Sequence, residues 1–193
     1  MSVAPLLLAL ALTVDGQTAV AAAPVIENDR VAVSRLPVTG AIPNGDAYDS
    51  VVVYLTPSPE AVVVRRGVTG RIDPARSGIV INLKGTRLPP IENRSGHPAA
   101  FPRPGRLTKL LENDDVVVWD YAWTPGEPTP MHFHDKDVVV VYMDAGALES
   151  RTPDGQITVN EYANGDVRFN KRDRAHTERL TKGSQRAIIT ELK

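Results

Sequence analysis

The chain reads as an all-β protein. Three observations predict this fold class. Short runs rich in Val and Ile recur along its 193 residues, clusters of Gly, Pro, Asn and Asp separate them, and no stretch carries a long apolar repeat of period 3.6. Runs of this length bounded by turn residues argue for a β-sandwich or β-barrel.

Taken in order, the chain begins with an apolar run, Ala4 to Val14, too short to span a bilayer. Small residues follow, with Ala19-Val20-Ala21 and Ala22-Ala23 as cleavage-like points, although no Lys or Arg precedes the run. Residues 1–23 are therefore expected to be a secretory signal peptide, and the mature protein to be periplasmic or secreted. The β runs then start: Val31–Val33, Val51–Tyr54, Ala61–Val64 and Ile79–Ile81 make a first unit over 24–84. Residues 85–106 hold Pro89, Pro90, Pro98, Pro102 and Pro104 and read as a linker or surface strap, because proline removes backbone donors. His97, in this segment, is given no role. Leu107–Glu112 fits one helical turn at most. Val116–Trp119, Val138–Tyr142 and Ala187–Ile189 make a second unit over 107–193.

The two units share landmarks. Ile26-Glu27-Asn28-Asp29-Arg30-Val31 matches Leu111-Glu112-Asn113-Asp114-Asp115-Val116. Both lead to a Val-rich run ending in Tyr, at Tyr54 and Tyr142. Both then reach a similar segment, Ile79–Lys84 and Ile188–Lys193. Between Tyr and Lys the first copy has 30 residues and the second 51, so the first is expected to lack about one hairpin.

Composition narrows the function classes. The net charge is −1 with no basic stripe, and aromatic residues are 5%, so nucleic acid is an unsuitable partner. There is no cysteine, which excludes disulfides, thiolate metal sites and a cysteine nucleophile. No nucleophile elbow, Walker loop or dinucleotide fingerprint is present. Any metal must be held by nitrogen and oxygen.

Three of the four histidines supply that donor set. His132 and His134 lie on alternate residues, so on a strand both imidazoles reach one face. His176 follows on a distant strand. Three neutral imidazoles can close one side of an ion and leave other positions open for water or substrate.

Gly126, His132, His134 and Gly146 fit a G-x5-H-x-H-x(3,4)-E-x6-G pattern, and Gly165 and His176 fit G-x5-P-x-G-x2-H-x3-N. The combination resembles the cupin family. The resemblance implies a cupin-type β-barrel (a jelly roll, or double-stranded β-helix), intact in the second copy and truncated in the first. It implies a mononuclear site for a divalent transition metal (Fe, Mn, Zn or Ni) on His132, His134 and His176. The implied activity is of the dioxygenase or isomerase type on a small molecule; a non-catalytic binding or structural cupin is the alternative. The departures are specific. Val138 or Val139 stands at the glutamate position, Val139 at the better spacing, and Lys171, Asp173 and Leu180 replace Pro, Gly and Asn. Asp135 and Asp137 lie near the missing carboxylate without matching its position. Three neutral ligands leave the ion's charge uncompensated, which favours an anionic substrate. Arg168 and Tyr142 are candidate substrate-binding residues, and Trp123, Arg151 and Glu178 candidate lining residues. The first copy carries no equivalent histidine, so it is expected to be a packing or dimerisation module, with a homodimer as the corresponding assembly and no stable membrane span.

Overall fold

The computed structural model describes residues 24–193 apart from 37–41, 56, 57, 59, 69–71, 74 and 86. The expected signal segment, 1–23, lies outside the described residues. Among the described residues there are fourteen β-strands and no helix, so the all-β expectation holds. It follows that no helix among them is long and apolar enough to cross a membrane.

The strands form three antiparallel sheets. The first contains β1 (Ile26–Glu27), β2 (Val31–Arg35), β3 (Asp49–Tyr54), β4 (Glu60–Val64) and β5 (Gly78–Leu83), in the order β1-β2-β5-β3-β4. The second contains β6 (Arg106–Glu112), β7 (Val116–Ala122), β9 (Val138–Tyr142), β12 (Val167–Asn170) and β14 (Arg186–Leu192), in the order β12-β9-β14-β7-β6. The third contains β8 (His132–His134), β10 (Gly146–Arg151), β11 (Ile157–Tyr162) and β13 (Arg174–Gly183), in the order β11-β10-β13-β8. From β7 to β10 the chain alternates between second and third sheets at every strand.

Strand alternation explains how the second sheet is covered twice. Side chains i and i+2 share a face. Val139 and Val141 of β9 join Val116, Val118, Ile188 and Leu192 in one core with Val31, Val33, Val51, Val53, Ile79 and Ile81 of the first sheet. Val138 and Val140 face the other way and join Val117, Trp119, Tyr121 and Ile189 in a core with Leu148 and Leu180 of the third sheet. This is why β9 is buried at all five positions. Each fully buried Val contributes on the order of 1.5–3 kcal/mol of transfer free energy, so the Val-rich runs drive the layering. By contrast β11, on the edge of the third sheet, is exposed at five of its six residues.

Two local expectations change. Leu107–Glu112 is strand, not a helical turn: β6 pairs with β7 from Arg106↔Ala122 to Glu112↔Val117, with a register shift between Lys109 and Leu111. The open edge of β7 outweighs the weak local preference. The Pro-rich segment is a strap with its own pairing. Pro98 O accepts from Phe133 N and Ala100 N donates to Phe133 O, both at 2.8 Å, through a parallel bridge at Ala99. Proline lacks a donor but keeps its carbonyl, and the strap uses that carbonyl along the free edge of β8.

The first and second sheets have corresponding strand orders, β1-β2-β5-β3-β4 against β6-β7-β14-β9-β12. Their opening turns are alike in detail. Asn28 Oδ1 accepts from Arg30 N and Val31 N at 2.8 and 3.0 Å. Asn113 Oδ1 accepts from Asp115 N and Val116 N at 2.8 and 2.9 Å. The first sheet has no partner corresponding to the third sheet among the described residues; its far face is covered by Leu36, Ile42 and Ile72 from its own connections. A buried ion pair joins the halves: Arg30 Nη1 lies 2.7 Å from Asp137 Oδ2, and Arg30 Nη2 donates to Lys193 O.

Candidate metal centre

The site is built by the pairing of β8 with β13. Their register sets His132 opposite His176 and His134 opposite Arg174. Alternation then puts His132 and His134 of β8, and Arg174, His176 and Glu178 of β13, on one face. Gly146 closes the fold nearby for a steric reason. A Cβ there would meet Ser184 O at 2.5 Å and Lys182 O at 2.8 Å, where β10 crosses the end of β13. This accounts for a glycine at the end of the first histidine motif.

The three histidines come together as expected. One ligand nitrogen from each of His132, His134 and His176 lies within 4.8 Å of the others, and all three residues are buried. The Nε2 atoms of His134 and His176 are 3.1 Å apart. Two nitrogens bound at about 2.1 Å to one ion, at a right angle, lie about 3.0 Å apart. The cluster is thus geometrically consistent with a mononuclear metal site.

Outer contacts orient the rings. His132 Nδ1 is 2.8 Å from Pro130 O, which can only accept, so that nitrogen carries the proton and Nε2 keeps its lone pair. His176 Nδ1 is 2.9 Å from Ser150 Oγ. His134 Nδ1 is buried and has no hydrogen-bond partner among the described residues. Protonation of all three rings is suppressed. Burial, then the Arg103 guanidinium, lowers His132 to about 3. Burial lowers His176 to about 4, with Glu178 opposing and Arg174 adding to the shift. Burial and Arg174 hold His134 well below the usual imidazole range. Neutral rings with inward lone pairs are the form that binds a divalent metal.

Sequence reasoning missed two cations. Arg103, from the strap, is buried with its guanidinium over the Tyr121 ring at 4.0 Å and Nη1 3.0 Å from His132 Nε2. Arg174 Nη1 is 3.2 Å from His176 Nε2. Glu178 balances Arg103: Nη1 of Arg103 lies 3.4 Å and Nε1 of Trp123 3.2 Å from its Oε2. Burial acts to raise the Glu178 carboxyl, but the neighbouring His176 and Arg103 outweigh it and hold it down at about 2. The period of two around His176 was the signal for Arg174 and Glu178. Nothing local pointed to Arg103.

The other candidates separate. Tyr142 lines the cavity beside the histidines, with Phe101, Val138, Val140, Asn170 and Ile189. Arg168 does not line it; that side chain is exposed and lies over the Tyr162 ring. Arg151 lies with Glu149 and Arg179 in a separate surface groove. Val138, not Val139, faces the cavity, because Val139 packs toward the first sheet. Asp137 is committed to Arg30 and Asp135 to Lys136, so neither joins the cluster.

No family model matches the chain. The beta-alanine degradation protein BauB of Pseudomonas aeruginosa (strain PAO1) is 38% identical over 61 residues, which covers 32% of this chain and 59% of that protein. The chain therefore spans less than two thirds of that relative's length. A cupin domain from Bordetella pertussis Tohama I is similar with 28% identity and a TM-score of 0.43, over 47% of this chain and 96% of that one. The polyketide cyclase RemF from Streptomyces resistomycificus is similar with 20% identity and a TM-score of 0.39, over 53% of this chain and 77% of that one. An RmlC-like cupin family protein with a double-stranded β-helix fold, from Methanocaldococcus jannaschii, is 11% identical with a TM-score of 0.39, over 55% of this chain and 90% of that one.

Proposed function

We propose that this chain is a cupin whose second half holds one divalent transition metal on His132, His134 and His176, and acts on a small molecule as a dioxygenase- or isomerase-type enzyme. The observation that carries the reading is the convergence of three buried, neutral imidazoles, two with Nε2 atoms 3.1 Å apart. The motif spacing supports it, and the local likeness to a protein named for beta-alanine degradation supports a small molecule as the substrate. When bound, the metal would supply Lewis-acid or redox chemistry at the open side of the cluster. The chain's own residues do the rest. Pro130 O and Ser150 orient two rings, Phe101, Val138 and Val140 line the cavity with apolar surface, and Glu178 holds a partly buried carboxylate within reach of Arg103.

In this reading the first sheet is a truncated cupin copy with a packing role, the assembly is a homodimer, and the mature protein is periplasmic or secreted. The matching strand orders and Asn turns support the first point, and the apolar run before residue 24 supports the last.

A second reading has one specific observation in its favour. The guanidinium groups of Arg103 and Arg174 stand on the Nε2 atoms of His132 and His176, where a metal would bind. A protein that kept those contacts would be a metal-free binding cupin. Metal analysis of tag-free protein after reconstitution with Fe, Mn, Zn or Ni separates the two. The metal reading expects about one ion per chain, lost in His132→Ala/His134→Ala. A wild type that stays metal-free would overturn it.

A further inference from the structure

We infer that two copies of this chain join through the free edge of β11; this rests on the homodimer reading and gives it a surface. The backbone sets which groups face that edge. At the head of the β10–β11 hairpin Thr152 N donates to Gln156 O at 3.0 Å, and the pairing runs from Arg151↔Ile157 to Gly146↔Tyr162. Bonded and non-bonded residues alternate along an antiparallel pair. Thr158, Asn160 and Tyr162 therefore bond to β10, while Ile157, Val159 and Glu161 turn their N–H and C=O groups outward. Their side chains share the outer face of the third sheet, away from Leu148 and Ser150, and Ile157 and Val159 are 48% and 59% exposed. Such an edge pairs with another chain unless it is short, bulged, charged or covered. The other sheet edges have such a device. β1 has two residues and β12 four, β6 carries Arg106, Lys109 and a register shift, β4 lies against β6, and the strap covers β8. β11 has six residues in unbroken register, with no Pro, Gly or Lys, and no second strand pairs with it among the described residues.

The occupant that fits is β11 of a second copy, antiparallel about a two-fold axis at Val159. That register sets Val159 opposite its own equivalent and Ile157 opposite Glu161 of the partner subunit, so every outward-facing residue gains a bonded pair. Moving the axis by one residue loses a pair. In one direction Glu161 meets the turn at Gly155, whose N–H is spent on Thr152 O. In the other Ile157 meets Ala163, whose N–H is held by Asp166. Charge fits the same register. Among the described residues the ion-pair contact of Arg151 is a 4.0 Å one to Glu149. Glu161 is held by Lys182 alone in an exposed pair, which contributes little. Across Ile157, about 10 Å away over two strand spacings, Arg151 faces Glu161 of the partner subunit on one sheet face, a gap that two long side chains span. The two-fold axis makes this contact twice.

Sedimentation equilibrium of the full chain over a range of concentrations tests this, with thermal melts as the check on folding. Wild type is expected to be a dimer. Val159→Lys puts two like charges on the axis and should raise the dissociation constant by about tenfold or more, while the chain still melts cooperatively. Arg151→Glu or Glu161→Arg alone should weaken the dimer, and the two together should restore it. Both positions are exposed, so these variants decide the matter even where Val159→Lys fails to fold. A dimer unchanged by Val159→Lys and by the single swaps overturns the β11 assignment and leaves the homodimer reading standing. A double swap no tighter than the single ones overturns the register. A wild type that stays monomeric overturns the assignment and the homodimer reading together.

Discussion

Among the described residues the two halves of this chain differ by one sheet, and the three clustered histidines lie in that sheet. The first half forms β1-β2-β5-β3-β4 and the second half repeats the order as β6-β7-β14-β9-β12. Both start from an Asn-stabilised turn and both bury a Val-rich strand ending in Tyr. Among the described residues, the second half alone adds β8, β10, β11 and β13. His132 and His134 come from β8 and His176 from β13. The sheet common to both halves contributes none of the clustered histidines. A metal-type cluster needs a second sheet facing it, with side chains pointing into the space between.

The comparison can be broken most forcefully at the joint between the halves. Arg30→Met leaves Asp137 buried without its cation and should cost about 3–5 kcal/mol. Urea unfolding measures this. Adding Asp137→Leu should restore most of the loss, since an apolar pair of similar volume tolerates burial. A cost below about 1 kcal/mol for Arg30→Met would mean the halves are held by their Val faces alone.

A smaller effect sharpens the likeness of the turns. Asn28→Ala and Asn113→Ala each remove two side-chain-to-backbone hydrogen bonds and should each cost about 1 kcal/mol. Similar values would support equivalent turns. A large inequality would show that one turn is held by tertiary packing instead.

The smallest effect concerns Glu191 and Asn82, which stand at matching places in β14 and β5. Asn82 is a satisfied amide, bonded to Ser50 Oγ and Pro43 O. Glu191 accepts from Trp119 Nε1 at 2.7 Å, and burial pushes its carboxyl up. A raised folded-state value means the native state holds the proton more tightly. Stability is then fullest below the unfolded carboxyl value and declines as pH rises through the folded one. Glu191→Gln should therefore stabilise the protein at pH 7 and have no such effect well below pH ~4. Thermal melts across that range read the difference, and an equal effect at both ends would contradict it.

Much of this was legible in the sequence. Val-rich runs between turn residues identified the strands, because a strand buried on both faces needs apolar residues at every position. The histidines were legible because alternation alone puts residues 132 and 134 on one face. The difference between 30 and 51 residues suggested one hairpin; among the described residues that span holds β4 and β5 in the first half and β10 to β14 in the second, a count that residue number alone does not give. Arg103 was hidden for another reason. A Pro-rich segment signals a lack of donors, not the edge on which its carbonyls find partners. Only the Phe133 pairing carries Arg103 onto His132. The parity of Val138 was also out of reach, since the turn between β8 and β9 resets the alternation.

X-ray absorption at the metal edge of zinc-loaded protein is the most direct test of one metal held by three imidazoles drawn from β8 and β13. Three imidazole nitrogens at about 2.0–2.1 Å are expected, lost together in His132→Ala/His134→Ala. Oxygen-only coordination, or a spectrum unchanged in that variant, would contradict it.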